Sequence, residues 1–81
     1  MQVSVRFHSY FRDLAGCAQT TESLPANSTL DCLHTRIAER FPKLRPLRNS
    51  TLAAVGVEYR PRDYVLQDGD EVSLFPPVQG G

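Results

Sequence analysis

Apolar and polar residues alternate at the start of the chain, with Val3, Val5 and Phe7 separated by Gln2, Ser4, Arg6 and His8. A period of two predicts a strand over Gln2–His8 with one apolar and one wet face. His8 falls on the wet face and reads as a solvated strand residue. Beyond it, Tyr10, Phe11 and Leu14 set against Arg12 and Asp13 predict one or two helical turns over Ser9–Ala15. Ser9 is the expected cap and Gly16 the left-handed stop. The Thr-rich stretch Cys17–Leu24 predicts a second strand, and Pro25-Ala26-Asn27 turns the chain. Leu30, Leu33, Ile37 and Phe41 then recur at helical spacing and form one stripe. Ser28 is read as the N-cap of this main helix, with Asp31 at the capping-box position. His34, Thr35, Glu39 and Arg40 are assigned to the solvated side, and Pro42 ends the helix.

Past the helix, Lys43, Arg45 and Arg48 mark Lys43–Ser50 as a basic, solvated connector. Leu52–Val57 predicts a third strand, with Gly56 as a bulge or close-approach point. Glu58–Asp63 reads as a turn, Tyr64-Val65-Leu66 as a short strand, Gln67-Asp68-Gly69-Asp70 as a second turn, and Val72–Phe75 as the last strand. Apolar stripes that all face one way describe an α+β fold: a mixed sheet of four to five strands with one main helix packed across one face. The first and last strands are among the most apolar and are placed side by side at its centre, with a crossover through the helix. That is a β-grasp, or ubiquitin-like, arrangement with a C-terminal tail projecting from a central strand.

Composition narrows the function. The 81 residues suffice for one domain with a modest core. Nine basic and nine acidic side chains cancel, which argues against a general nucleic-acid or anionic-membrane binder. No apolar run approaches the ~20 residues of a membrane span. The alternating start lacks the apolar block of a signal peptide, so a cytoplasmic location is expected. Cys17 and Cys32 are too few for a zinc or iron–sulfur site and are expected reduced and partly buried. Asp68 and Asp70 lack the spaced ligands of a calcium loop, so no metal is expected. Nothing resembles a catalytic triad or a phosphate-cradling loop.

The final stretch, Phe75-Pro76-Pro77-Val78-Gln79-Gly80-Gly81, is chemically distinctive. Pro76 and Pro77 cannot donate to a ladder, so the strand ends there and an extended segment begins. Residues 1–75 are thus expected to form the β-grasp body and residues 76–81 a flexible tail reaching roughly 20 Å. Without Cβ atoms, Gly80 and Gly81 fit a tunnel that other residues would block, and the Gly81 carbonyl is open to attack from either face.

Val5-Arg6-Phe7, Phe11-Arg12-Asp13-Leu14-Ala15-Gly16, Leu52-Ala53-Ala54-Val55, Asp68-Gly69-Asp70-Glu71-Val72 and the Phe-Pro-Pro-Val-Gln-Gly-Gly ending together resemble the small, sulfur-carrying subunits of molybdopterin synthase. Position 79, often small in that family, is Gln79 here. The resemblance implies a consumable carrier with no tightly bound cofactor. A ubiquitin-activating-like adenylating enzyme would use ATP to join Gly81 to AMP, and a sulfur donor would convert it to a thiocarboxylate (1-thioglycine). The tail would then deliver sulfur to a cyclic pyranopterin phosphate in the large synthase subunit, in a heterotetramer. Phe75, with Tyr59 beside it and Arg12 as a polar contact, is the expected partner interface, although ordinary core is an equal reading for Phe75. Carriers for thiamine, cysteine or tRNA thiolation, a ubiquitin-like protein modifier, and an interaction module with an inert tail share the same outline.

Overall fold

The computed structural model describes residues 1–77. Five strands form one sheet: β1 (Gln2–Phe7), β2 (Gln19–Ser23), β3 (Leu52–Val55), β4 (Glu58–Tyr59) and β5 (Glu71–Phe75). Their order is β2-β1-β5-β3-β4. β1 runs antiparallel to β2 and parallel to β5, and β3 is antiparallel to both β5 and β4. The first and last strands therefore lie side by side, as the apolar pattern requires, and the chain has a β-grasp fold. A short helix, α1 (Phe11–Ala15), joins β1 to β2; the main helix, α2 (Leu30–Arg40), joins β2 to a 3-10 segment over Pro42–Ser50.

The core is the expected one. Val3, Val5 and Phe7 of β1 and Val72 and Leu74 of β5 face Leu30, Leu33 and Ile37 of α2, all buried. Each of these large side chains contributes about 2 kcal/mol by leaving water. Phe41, at the end of the helical stripe, packs edge-on against Phe7 with ring centroids 5.2 Å apart.

Local chemistry corrects several expectations. Thr29, not Ser28, caps α2: its hydroxyl accepts from the Cys32 amide at 3.3 Å, while the Ser28 hydroxyl donates to the Pro25 carbonyl. Both residue types cap well, so backbone geometry decides. Asp31, one position too early for the capping box, pairs instead with Arg48 and Arg62. Ser9 is no cap either. It takes φ +57°, a left-handed turn that costs a non-glycine residue roughly 1 kcal/mol, and the N-cap of α1 is Tyr10, which makes no side-chain capping bond.

The basic connector is a 3-10 helix rather than a loop. Leu44 anchors it in the core, and Arg48 ties it to α2 through Asp31 and Thr35. The fourth strand is Glu58–Tyr59, read above as a turn, and the Gly56-Val57 pair is a two-residue hairpin turn rather than a bulge. Gly56 has φ +65°, a conformation that such turns require and that favours glycine. Tyr64–Leu66 joins no strand; Val65 makes a single bridge to Thr29, and Leu66 fills the core.

His34 is buried at 4% exposure rather than solvated. It lies three residues before Ile37 and four after Leu30, inside the buried face. Burial, then the Arg62 and Arg48 guanidiniums, push its pKa down to about 4, against a smaller opposing pull from Asp31. Of the free thiols, Cys17 is partly buried as expected, but Cys32 is exposed. The Thr29 hydroxyl bonded to its sulfur holds the Cys32 thiol below its ordinary range.

On β2, the inward-facing residue is Glu22, 6% exposed. Its carboxylate is held by Arg40 at 2.6 Å and Arg36 at 3.5 Å. The same arginines reach the Thr21 and Ser23 carbonyls, covering acceptors that an edge strand would otherwise leave bare. Asp68 and Asp70 serve the turn before β5: Asp68 accepts from the Gln2 amide at 2.8 Å and Asp70 from the Gln67 amide at 2.9 Å.

Candidate functional site

Along β5, Val72 and Leu74 are buried on the helix side, so Glu71, Ser73 and Phe75 face the open side of the sheet. Most of that open side is polar, with Ser4, Arg6, Gln19, Thr21, Glu71 and Ser73 lining a shallow hollow. Its character changes where β5 ends. Phe75 lies directly opposite Leu52 of β3, so the two share a face. The Tyr59 ring stands 5.8 Å from the Phe75 ring, tilted at 59°. On the other flank the His8 ring stacks on Phe75, with centroids 4.4 Å apart and planes within 12°.

The row His8–Phe75–Tyr59, with Leu52, is an apolar patch at the foot of Pro76-Pro77. Tyr59 is 66% exposed and Leu52 37%, so this patch meets solvent while Phe75 itself is half-buried. Patches with large aromatic side chains beside polar surroundings are where protein partners find anchors. Arg12, exposed on α1, borders the far side of His8 in a hollow shared with Arg6, Ser9 and Gln19.

The structure thus brings Phe75 and Tyr59 together directly and reaches Arg12 through His8. Pro76 and Pro77 follow β5 without joining the ladder and are half-buried. Val78, Gln79, Gly80 and Gly81 lie outside the described residues. Sequence reasoning missed His8 and Leu52 as members of this surface. The period-two pattern already put His8 on the open face; missing was the knowledge that Phe75 would be its neighbour, which follows only from the parallel pairing of β1 with β5.

His8 is half-buried rather than fully solvated. Its backbone amide donates to the Leu74 carbonyl at 3.1 Å, extending the β1–β5 ladder by one bond. Its Nε2 is buried and has no hydrogen-bond partner among the described residues.

Comparison with known proteins agrees with the fold. The ThiS family model matches residues 5–81. A Chlamydomonas reinhardtii protein named molybdopterin synthase sulfur carrier subunit is 34% identical over 83 residues, spanning 100% of both chains. Among solved structures, the putative molybdopterin converting factor subunit 1 of Pyrococcus furiosus superposes with a TM-score of 0.88 at 30% identity, covering 96% of this chain and 99% of its own. A Helicobacter pylori complex of subunits 1 and 2 of molybdopterin-converting factor matches with a TM-score of 0.69 at 26% identity, over 100% of both chains. The family model spans all but the first four residues, and the chain belongs to the ThiS family.

Proposed function

We propose that this chain is the sulfur carrier subunit of a molybdopterin synthase. The observation that carries the reading is the end-to-end match to proteins of that name, joined to a central strand that leads straight from the sheet into the Pro-Pro segment. In this reading residues 1–75 are the grip and residues 76–81 the arm. The body contributes rigidity and recognition, and the reacting atoms are those of Gly81.

A carboxylate is a poor electrophile, so it must be activated. The Gly81 carboxylate attacks the α-phosphorus of ATP on an adenylating enzyme, pyrophosphate leaves, and an acyl-adenylate forms. Sulfide from the donor then attacks the acyl carbon, the C–O bond to AMP breaks, and 1-thioglycine is left. In the large subunit the thiocarboxylate sulfur attacks a carbon of a cyclic pyranopterin phosphate and displaces an oxygen substituent from it; water then hydrolyses the resulting acyl thioester, leaving the sulfur on the pterin and regenerating the Gly81 carboxylate. Two such deliveries complete a dithiolene. The missing side chains of Gly80 and Gly81 let the same carbonyl fit more than one active site.

Docking on the large subunit falls to the patch at the root of the arm. Phe75 is its anchor, Tyr59 and Leu52 extend it, and Arg12 offers a polar contact at its margin. Such half-buried aromatic groups are pre-organised before the partner arrives, which lowers the entropic cost of association.

The experiment is intact-mass measurement after incubation with an adenylating enzyme, ATP and a sulfur donor. Exchange of one oxygen for sulfur at Gly81 is expected. An unaltered mass with an enzyme that loads a related carrier would refute the carrier role. Transfer of that sulfur to the pyranopterin in the presence of a large subunit then identifies the acceptor. For docking, Phe75→Ala should weaken affinity for the large subunit at least tenfold, in the range of anchor residues; unchanged affinity in a folded variant would remove Phe75 from the interface.

A further inference from the structure

We infer that His8 is a positioning residue: its ring, used as a flat plate, holds the Phe75 ring in place and so sets how the root of the tail is presented to the large subunit. This rests on the carrier reading above but concerns a residue which that reading does not use.

Three observations converge on it. The first is register. Phe7 pairs with Leu74 in the parallel β1–β5 ladder, and the His8 amide continues the ladder to the Leu74 carbonyl. His8 and Phe75 are therefore neighbours on one face, and their rings lie nearly parallel at 4.4 Å.

The second is confinement. Immediately after His8 the backbone enters the left-handed turn at Ser9, and the Ser9 carbonyl then accepts from the Arg12 amide at 3.2 Å. The chain is bent away from the sheet at the residue following His8, which leaves the imidazole at the end of β1, over Phe75. On its other side Phe75 meets Tyr59, so its ring is held between two aromatic neighbours.

The third is the missing hydrogen bond. Among the described residues, Nε2 of His8 is the single buried side-chain nitrogen or oxygen without a partner. Buried polar atoms are nearly always paired. Among the described residues, the contact that the ring makes is through its face, on Phe75. Stacked aromatic pairs gain beyond their buried area, and fixing a side chain in its bound form favours association without adding a contact to the partner.

The flat-plate role predicts that phenylalanine substitutes for His8 and alanine does not. With thiocarboxylated chain as the varied substrate of the large subunit, His8→Ala should raise KM about fivefold, a size set by the loss of one stacked pair, and leave kcat within about twofold. His8→Phe should restore KM to the wild-type value. Failure of His8→Phe to restore it would show that the imidazole nitrogens matter, and an unchanged KM in His8→Ala would show that the clamp does not; either overturns the inference. A folding defect would raise the apparent KM only by the inverse of the folded fraction, so KM is compared well below the melting temperature of each variant, where that fraction is one.

The isolated chain gives a readout independent of sulfur chemistry. Side-chain NMR couplings of Phe75 should report one χ1 rotamer in the wild type and in His8→Phe, and averaging over rotamers in His8→Ala. A single rotamer in all three would sink the clamp even if the carrier reading holds. Absence of sulfur loading in the wild type would sink the carrier reading while leaving the rotamer result to stand.

Discussion

The burial of His34 makes stability depend on pH in a way that can be worked out beforehand. In the fold its pKa is pushed down to about 4, whereas the ordinary value is 6.5. Above pH 6.5 the ring is neutral in both states and the difference has no effect. As pH falls from 6.5 towards 4, the unfolded chain takes up a proton that the folded chain refuses, so the folded state loses ground at up to 1.36 kcal/mol per pH unit. Between pH 7 and pH 4.5 the loss amounts to about 2–3 kcal/mol, a large part of the 5–15 kcal/mol typical of a small domain. Below the folded pKa both states are protonated and the penalty stops growing. The perturbation is His34→Leu, which fills the same space without a titrating group. Urea unfolding of wild type and variant at about pH 7 and pH 4.5 isolates the effect, because the carboxylates titrate in both proteins. Wild type should lose about 2–3 kcal/mol more than the variant over that interval. Equal losses, or an NMR titration of the His34 ring centred near its ordinary value, would refute the reasoning.

Other changes test other parts of the molecule. Glu22→Gln keeps the shape of the buried side chain but removes the charge held by Arg40 and Arg36; because both arginines are partly exposed, a loss of about 1–2 kcal/mol in urea unfolding is expected. Gly56→Ala forces a Cβ into the left-handed hairpin position, with open space around it, so the cost should be backbone strain alone, about 1 kcal/mol, and Gly56→Asn should cost less. Gly81→Ala should slow acyl-adenylate and thiocarboxylate formation, measured by intact mass over time, because its methyl group crowds the reacting carbonyl; wild-type rates would remove the steric argument.

Periodicity was enough to find β1, α2 and β5, because each buries one regular face: Val3-Val5-Phe7, Leu30-Leu33-Ile37 and Val72-Leu74. Their mutual arrangement followed from which segments were most apolar. What escaped was structure held by partners distant in sequence. Glu58–Tyr59 carries no strand pattern, being two exposed residues that are strand only because Ala54 and Val55 pair with them. Tyr64–Leu66 carried the pattern but serves as a core plug. His34 was placed by its polarity on the wrong side of a helix whose buried face is wider than a four-residue stripe suggests. At the candidate site, the tail motif and the Phe75–Tyr59 pair could be named from residues alone, whereas His8 and Leu52 needed the register of β1 against β5 and of β3 against β5.

β5 is hydrogen-bonded on both sides, to β1 and to β3, and it is the last strand in the chain. Without it the β1–β2 pair and the β3–β4 pair have no common seam. The sheet can therefore close only after residues 71–75 have left the ribosome, and a chain lacking them offers the cell no folded body on which to build. The same seam bears load. On the proposed reading, in which a partner draws residues 76–81 into a cleft, the pull runs along a strand gripped in shear by both neighbours, and the body is towed without being unravelled.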